Sequence, residues 1–289
     1  MAKVTKKAAA KDAAPKAAAP KAFNPGGSPV GWSFWTTTMT CWRMWFLKYV
    51  EGLSPIETPK ELLLGSAYHG LMEGHSSAVI TAHDPKYKSV IDEAMRLYIS
   101  RKSPGAPPMP KDIVSAEETL NVPGIPMTSK PDRIERTSSG KVQVREFKTA
   151  NRFTENDSHK WSVSGEVIGE MMAANVDTAI VDIIEKKGGK VQQLEVKLTD
   201  EKRGSLVGLI TALKAELTPR MEQYRAAKSV SPSPNLDRVF PKNLNACGYQ
   251  FGNPCPFFAR CWGRSAATHL FERKPVSVWR SYLGVPEKD

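Results

Sequence analysis

The 289-residue chain is poor in several features that would place it in a large functional class. It has no GxxxxGK[ST] phosphate-binding loop and no GxGxxG segment after a predicted strand, which argues against a P-loop motor and a typical dinucleotide site. No run approaches the ~18 apolar residues of a membrane span. Residues 1–28 lack both the apolar segment of a signal peptide and the Arg residues of a transit peptide. We therefore expect a soluble, intracellular protein.

Acidic residues are scarce relative to basic ones. The chain has 41 Lys and Arg against 30 Asp and Glu, a formal net charge of +11. Six Lys and one Asp lie in residues 1–28, so this segment contributes +5 and the rest of the chain +6. Because almost no bulky apolar residue precedes Phe23, we predict that residues 1–28 form a disordered basic tail. The excess of positive charge favours a polyanionic partner.

The remaining chain is long enough to bury a substantial core, as one large domain or two small ones. Its hydrophobic periodicity predicts helices, a Pro-rich break and two hairpins, which indicates an α/β or α+β domain with helices against one sheet. The predicted helices cover 32–50, 62–73, 87–101, 161–175 and 199–227, the break covers 103–110, and the hairpins lie at 126–149 and around Gly188-Gly189.

The first hairpin contains an unusual arrangement of charge. Its sequence, PDRIERTSSGKVQVREFK over 131–148, alternates with the period of a strand, and Ser138-Ser139-Gly140 suits a three-residue turn. This turn pairs residues whose numbers sum to 278, so Asp132 faces Glu146. Two opposed carboxylates repel each other, and a fold that keeps them together among apolar neighbours is expected to hold a cation between them.

The same hairpin contains the pattern Glu146-x-Lys148, whose side chains point to one face of a strand. Two carboxylates can bind Mg²⁺, which prefers oxygen ligands and keeps several waters. A Lys beside the metal can orient a water for attack on a phosphodiester, while the metal stabilises the charge that develops. The alternative is a surface hairpin whose charges pair only with each other.

A histidine on the predicted 62–73 helix is the second candidate. His69 shares one helical face with Gly65 and Glu73. A lone His in this position can be a core residue with satisfied hydrogen bonds or a metal ligand. The spacing Gly65-xxx-His69-xxx-Glu73 favours a ligand once it is considered beside the hairpin.

The cysteines are the third candidate. Cys247, Cys255 and Cys261 form a compact group, whereas Cys41 lies more than two hundred residues earlier. Disulfides are not expected in a reducing compartment, which leaves buried thiols or a single Cys₄ site holding zinc or an iron–sulfur cluster. The chain has no CxxC pair, which is atypical of zinc knuckles.

In their order along the chain, these segments resemble the PD-(D/E)XK nuclease superfamily, in its RecB-like branch with an iron–sulfur cluster. That branch includes AddB-type nuclease domains and CRISPR-associated RecB-like nucleases, and the similarity extends to phage recombination exonucleases. The similar segments span about residues 31–262 and are TTTMTCWRMWFLKYVEGL for the opening helix, LGSAYHGLME for the GxxxHxxxE helix, KPDRIE for the Asp strand, VREFKTA for the ExK strand and CGYQFGNPCPFFARC for the closing cysteines.

The resemblance implies a restriction-endonuclease-like α/β core, a mixed sheet flanked by helices. It also implies that a Cys₄ metal cluster joins the N-terminal helix to the C-terminal segment. The corresponding division of the chain is a disordered tail at 1–28, a nuclease domain with its iron–sulfur staple at 29–275, and a C-terminal tail at 276–289.

The resemblance also implies residue roles. The expected set comprises His69, Asp132 and Glu146 as ligands of Mg²⁺ or Mn²⁺; Asp132, Glu146 and Lys148 as catalytic residues; Cys41, Cys247, Cys255 and Cys261 as ligands of a 4Fe–4S cluster, with Zn²⁺ as the alternative; Glu73, Glu166 and Glu170 as accessory residues; and Arg133, Arg145, Arg152 and Lys160 as phosphate contacts. Two features depart from the family. Glu166-xxx-Glu170 stands where Gln-xxx-Tyr is common, and seven residues separate the second and third cysteines.

The function implied is that of a divalent-metal-dependent DNA nuclease, an exonuclease acting on ends or single strands in recombination, repair or phage DNA metabolism. The expected location is the cytoplasm of a bacterial or phage-infected cell, away from membranes, and an annealing protein or helicase is the expected partner. Two alternatives stay open: a non-catalytic nucleic-acid-binding scaffold of the same fold, and a zinc-stapled binding module.

The basic tail leads to a first prediction. Deleting residues 1–28 removes five net positive charges, so DNA affinity should fall and its dependence on salt should flatten. Turnover at saturating DNA should be unchanged. Fluorescence anisotropy with labelled DNA over a series of salt concentrations measures the first effect, and cleavage of excess DNA measures the second. A truncated protein with normal affinity but no turnover would contradict this separation.

Overall fold

The computed structural model describes residues 28–231, 234–248, 255–262, 265–274 and 279. Its α-helices are α1 Trp32–Thr40, α2 Trp42–Trp45, α3 Lys60–Met72, α4 Ser77–His83, α5 Ile91–Lys102, α6 Glu155–Ser162, α7 Gly165–Ala173, α8 Asp200–Val230, α9 Leu236–Val239, α10 Leu244–Gly248 and α11 Phe258–Trp262. A π-helical turn covers Phe46–Val50, and 3₁₀ turns cover Pro85–Ser89 and Ser265–Leu270. No helix in this described part combines the length and the apolarity that a membrane crossing requires.

The strands form one five-stranded sheet and two short ribbons. The strands are β1 Leu53–Pro55, β2 Asp112–Ser115, β3 Leu120–Asn121, β4 Thr128–Ser129, β5 Arg133–Arg136, β6 Val142–Ala150, β7 Thr178–Glu185, β8 Val191–Lys197 and β9 Phe271–Arg273. The large sheet has the order β2-β5-β6-β7-β8, in which β6 and β7 are parallel and the other neighbours are antiparallel. The predicted α/β class with a mixed sheet flanked by helices is therefore confirmed.

The sheet separates two hydrophobic clusters. Val144 and Val181 belong to a cluster with residues of α1, α7 and α8. Phe147 and Ile184 belong to a second cluster with residues of α3 and α5. Alternate residues of β6 thus enter different clusters, as the two-residue period of a strand requires. Helices therefore cover both faces of this sheet.

The predicted register of the first hairpin is confirmed. Arg133 pairs with Arg145 and Ile134 with Val144, and the Thr137 amide bonds to the Lys141 carbonyl at 2.8 Å to close the turn. Gly140 has a φ of +83°, a conformation that costs glycine little and other residues more. The turn therefore fixes which side chains meet across the ladder.

Three predicted helices are divided. The 87–101 helix is a 3₁₀ turn at Pro85–Ser89 followed by α5, which begins at Ile91. The 32–50 helix breaks at Cys41, which has an extended backbone, and the 161–175 helix is replaced by α6 and α7, which are separated near Ser164. The predicted 199–227 helix is confirmed as α8, with the Thr199 hydroxyl accepting the Lys202 amide hydrogen at 3.3 Å.

Only two residues of the predicted tails, Ser28 and Trp279, are among the described residues. The tail at 1–28 lies outside the described residues except for Ser28, as does the tail at 276–289 except for Trp279. Trp279 is fully buried, and its indole N–H donates to the Tyr49 carbonyl at 2.8 Å. Its ring packs against Phe34 and Trp45. Trp279 therefore belongs to the core.

A buried ionic network fixes the face of the sheet that α5 covers. Arg145 bonds to Glu135 at 2.8–3.0 Å and to Asp182 at 2.7 Å. Asp182 also accepts two hydrogen bonds from Arg101, at 2.8 and 2.6 Å, and one from Gln193 at 2.9 Å. Glu135 and Asp182 are fully buried, so each depends on these partners to offset its desolvation.

The network leads to a prediction about stability. Asp182→Asn should lower the free energy of unfolding by about 3–5 kcal/mol, because it leaves the buried Arg101 and Arg145 short of negative charge. Equilibrium unfolding in urea measures this change. The matched control is Asp112→Asn, which removes an exposed ion pair with Arg136 and should cost less than about 1 kcal/mol. Equal effects of the two substitutions would show that the network contributes no more than a surface pair.

Candidate active site

The first hairpin brings two buried carboxylates together. Asp132 directly precedes β5, one position beyond the paired Arg133 and Arg145, and Glu146 lies opposite it on β6. One oxygen of Asp132 accepts the Phe147 amide hydrogen at 2.6 Å, which orients the carboxylate beside the strand. Only 6% of Asp132 and 3% of Glu146 are exposed. Both acids are thus held out of solvent at the end of the hairpin.

Helix α3 places His69 against Asp132. The His69 Nδ1 lies 3.2 Å from the Asp132 Oδ1. Burial opposes the charged imidazolium, but the charge of Asp132 and its hydrogen bond outweigh burial and raise the pKa of His69 to about 9. Burial also opposes the Asp132 carboxylate, yet His69 and Lys148 hold its pKa well below the usual range. The structure therefore brings His69 to the acidic pair, as predicted.

Lys148 connects the hairpin to helix α7. Its ammonium contacts Glu146 Oε1 and lies 3.1 Å from Glu166 Oε2. The same ammonium lies 5.1 Å from the centre of the Trp161 ring, at the end of α6. Burial opposes its charge, but the surrounding carboxylates outweigh burial and raise the pKa of Lys148 well above its usual value. Lys148 is therefore a fixed positive charge among acids.

Helix α7 adds two further acids to this group. Single carboxylate oxygens of Glu146, Glu166 and Glu170 all lie within 4.8 Å of one another. The Oε2 atoms of Glu146 and Glu170 are buried and have no hydrogen-bond partner. Burial and then the charge of Asp132 raise the pKa of Glu146 to about 8, and burial and then Glu146 raise the pKa of Glu170 well above its usual range. The two accessory acids thus lie at the centre of the site.

Glu73 belongs to a neighbouring acidic group that the sequence did not reveal. Its carboxyl is hydrogen-bonded to Glu117 and lies 3.3 Å from His75, while Glu117 contacts Lys130. Burial and then Glu117 raise the pKa of Glu73 to about 8. Glu117 has a φ of +53°, and it lies in a loop with no motif or periodicity to signal its position. The contact depends on chain folding rather than on local sequence.

Two of the four predicted phosphate contacts are arginines that the structure buries. Arg145 is 2% exposed and bonded to Glu135 and Asp182, and Arg133 is 8% exposed and donates to the Met72 carbonyl. Neither guanidinium can reach a phosphate on the surface. Arg152 and Lys160 are exposed, and Lys160 lies 4.5 Å from the centre of the Trp161 ring beside Lys148. These two cations keep the predicted role.

The structure brings the four cysteines into one region. Cys41, Cys247 and Cys255 are buried, Cys261 is half-buried, and the Asn243 amide lies 3.4 Å from the Cys41 sulfur. Burial raises the pKa of Cys261 to about 12, with smaller contributions from the other three thiols that Arg43 partly offsets. Among the described residues no three cysteine sulfurs lie within 4.8 Å of one another. The four thiols are therefore neighbours in the fold.

Comparison with known proteins gives little further information. No protein-family model matches the chain, and no curated protein matches it. A solved structure titled "Crystal structure of SSO0001" is similar over 52% of this chain and 71% of that one, with 14% sequence identity and a TM-score of 0.25. The chemistry of this site therefore has to be inferred from its own side chains.

Proposed function

We propose that the protein is a divalent-metal-dependent DNA nuclease of the PD-(D/E)XK superfamily, with a restriction-endonuclease-like core of the RecB-like branch. The observation that supports this most strongly is the convergence of His69, Asp132, Glu146 and Lys148 from one helix and one hairpin. The order of motifs along the chain is the second support. The proposed substrate is DNA with free ends or single strands, as the family resemblance implies.

The donor set fits Mg²⁺ or Mn²⁺. Asp132 and Glu146 offer carboxylate oxygens, and the buried Glu146 Oε2 lacks any hydrogen-bond partner. His69 would offer an imidazole nitrogen once metal binding displaces its proton. Leaving such an oxygen unpaired is costly, so a cation that binds it would stabilise the site. When bound, the metal would supply Lewis-acid stabilisation of the charge that develops on a phosphodiester.

The chain's own residues would perform the remaining tasks. Lys148 has a fixed ammonium next to Glu146 and could hold the attacking water or a phosphate oxygen. The Phe147 amide keeps Asp132 oriented, so this ligand needs no rearrangement. The exposed Arg152 and Lys160 would attract the DNA backbone towards the acidic site, consistent with the net charge of +11.

The proposed metal site leads to a prediction about cleavage. Asp132→Asn and Glu146→Gln should each reduce DNA cleavage by at least ~10³-fold, because a charged ligand is lost with little change of shape. Digestion of end-labelled DNA with Mg²⁺, Mn²⁺ or EDTA measures the loss. The same substrate also distinguishes release of terminal nucleotides from internal cutting.

Matched controls test whether the loss is specific. Asp112→Asn makes the same chemical change at an exposed position of the same sheet and should leave cleavage unchanged. DNA binding by the two site variants should persist. Full cleavage activity in either site variant would refute the metal-site assignment. Tight DNA binding by the wild-type protein without DNA cleavage in any metal would instead support the non-catalytic scaffold.

We propose a 4Fe–4S cluster at Cys41, Cys247, Cys255 and Cys261, which would join the N-terminal helices to the C-terminal segment. A single zinc ion at about 2.3 Å from each sulfur would hold the sulfurs about 3.8 Å apart. The chain has no CxxC pair, the usual feature of zinc knuckles, and this favours the multi-iron core over a single zinc ion. Such a cluster would close a loop of about two hundred residues, which restricts the unfolded chain.

The cluster leads to a separate prediction. Protein purified without air should be brown and contain about four iron and four sulfide per chain. Cys255→Ser should lose the colour and melt at a lower temperature, whereas Glu146→Gln should keep the full iron content. Elemental analysis and thermal melting measure these outcomes. Stoichiometric zinc without iron in the wild-type protein would overturn the cluster and leave the nuclease proposal intact.

A further inference from the structure

Helix α7 is held in place by close packing on one side, and it presents acids on another. An added Cβ at Gly165 would lie 2.3 Å from the Trp32 ring, and one at Gly169 would lie 2.6 Å from the Met127 side chain. The approach at Gly165 involves the rigid Trp32 ring and leaves no room for a side chain, whereas the one at Gly169 involves only the flexible end of Met127. Helix α7 therefore packs closely against α1 and β4. The next residues along the helix, Glu166 and Glu170, lie one turn apart and reach Glu146.

The acids around Glu146 outnumber the cations that contact them. Lys148 contacts Glu146 and Glu166, and His69 contacts Asp132. Glu170 is 3% exposed, and its Oε2 has no hydrogen-bond partner. Glu146 has a second oxygen in the same condition. Two buried, unpartnered carboxylate oxygens within one cluster favour a positively charged ligand beyond Lys148.

We propose that Glu146, Glu166 and Glu170 form a second divalent-cation position, which shares Glu146 with the His69–Asp132–Glu146 position. This inference rests on the proposed nuclease function and extends it to a two-metal site. Octahedral Mg²⁺ or Mn²⁺, with ligands at about 2.1 Å, separates neighbouring oxygens by about 3 Å and opposite ones by about 4 Å. The three oxygens lie within 4.8 Å, so small side-chain rotations would bring them to these distances.

A shared carboxylate suits this chemistry. In two-metal hydrolytic sites the ions lie about 3.5–4 Å apart, and together they stabilise the attacking and leaving oxygens. Glu146 lies opposite Asp132 across the hairpin and has an oxygen within 4.8 Å of Glu166 and Glu170, so it belongs to both groups of ligands. Glu166 and Glu170 would then contribute to metal binding at the positions where the PD-(D/E)XK superfamily, which this chain resembles, often has Gln and Tyr.

The rival explanation is a neutral Glu170, whose carboxyl stays protonated because burial raises its pKa. The substitution Glu170→Gln separates the two explanations, because Gln mimics the protonated acid in shape and charge. A neutral Glu170 predicts no change in metal binding after this substitution. A metal ligand predicts the loss of one bound ion.

The test is a Mn²⁺ titration of the full-length, cluster-containing protein without DNA, followed by calorimetry and by the EPR signal of free Mn²⁺. We expect two ions per wild-type chain, and Glu170→Gln should lose one of them or weaken it at least tenfold. Glu155→Gln, an exposed acid on α6, is the matched control and should bind two ions. Should Glu170→Gln melt early, Glu166→Gln at the half-buried end of the cluster gives the same test.

The outcomes separate this inference from the proposed function. One ion per wild-type chain, or two in both Glu170→Gln and Glu166→Gln with wild-type affinity, would overturn the second position. Cleavage of DNA by a protein that binds one ion would refute this inference while the nuclease proposal stands. Two bound ions, one lost with Glu170→Gln, but no cleavage by the wild-type protein would confirm the cation position and refute the nuclease proposal.

Discussion

The charge of the Lys148 ammonium interacts with four acidic side chains, those of Asp132, Glu146, Glu166 and Glu170. The first hairpin and helix α7 hold these acids close together. Like charges separate unless covalent geometry and packing prevent it. Here the hairpin register opposes Asp132 to Glu146, and α7 brings the other two acids against the same point. The fold therefore keeps mutually repelling acids close together, and a bound cation would reduce that repulsion.

The part of this arrangement that depends on local sequence could be predicted. The hairpin register followed from the alternation of β6 and the turn at Gly140, and β7 and β8 followed from alternation around Gly188-Gly189. The His69 helix followed from its periodicity. Each of these features is encoded within about twenty residues, where turn chemistry and side-chain period act directly on the backbone.

The rest depends on contacts between distant segments. The parallel pairing of β6 with β7 and the break between α6 and α7 are set by tertiary packing, including the approach of Trp32 to Gly165. The burial of Arg145 could not be predicted for a related reason, because a charged residue on a strand looks alike in sequence whether it faces solvent or a buried Asp182.

The central claim is that a divalent cation binds the buried carboxylates around Glu146. The most direct measurement is an anomalous difference map from a crystal soaked in Mn²⁺. The account predicts a peak about 2.1–2.2 Å from Glu146 Oε2, the oxygen that has no hydrogen-bond partner. A crystal saturated with Mn²⁺ in which Lys148 Nζ is the sole cation in contact with Glu146 would contradict it.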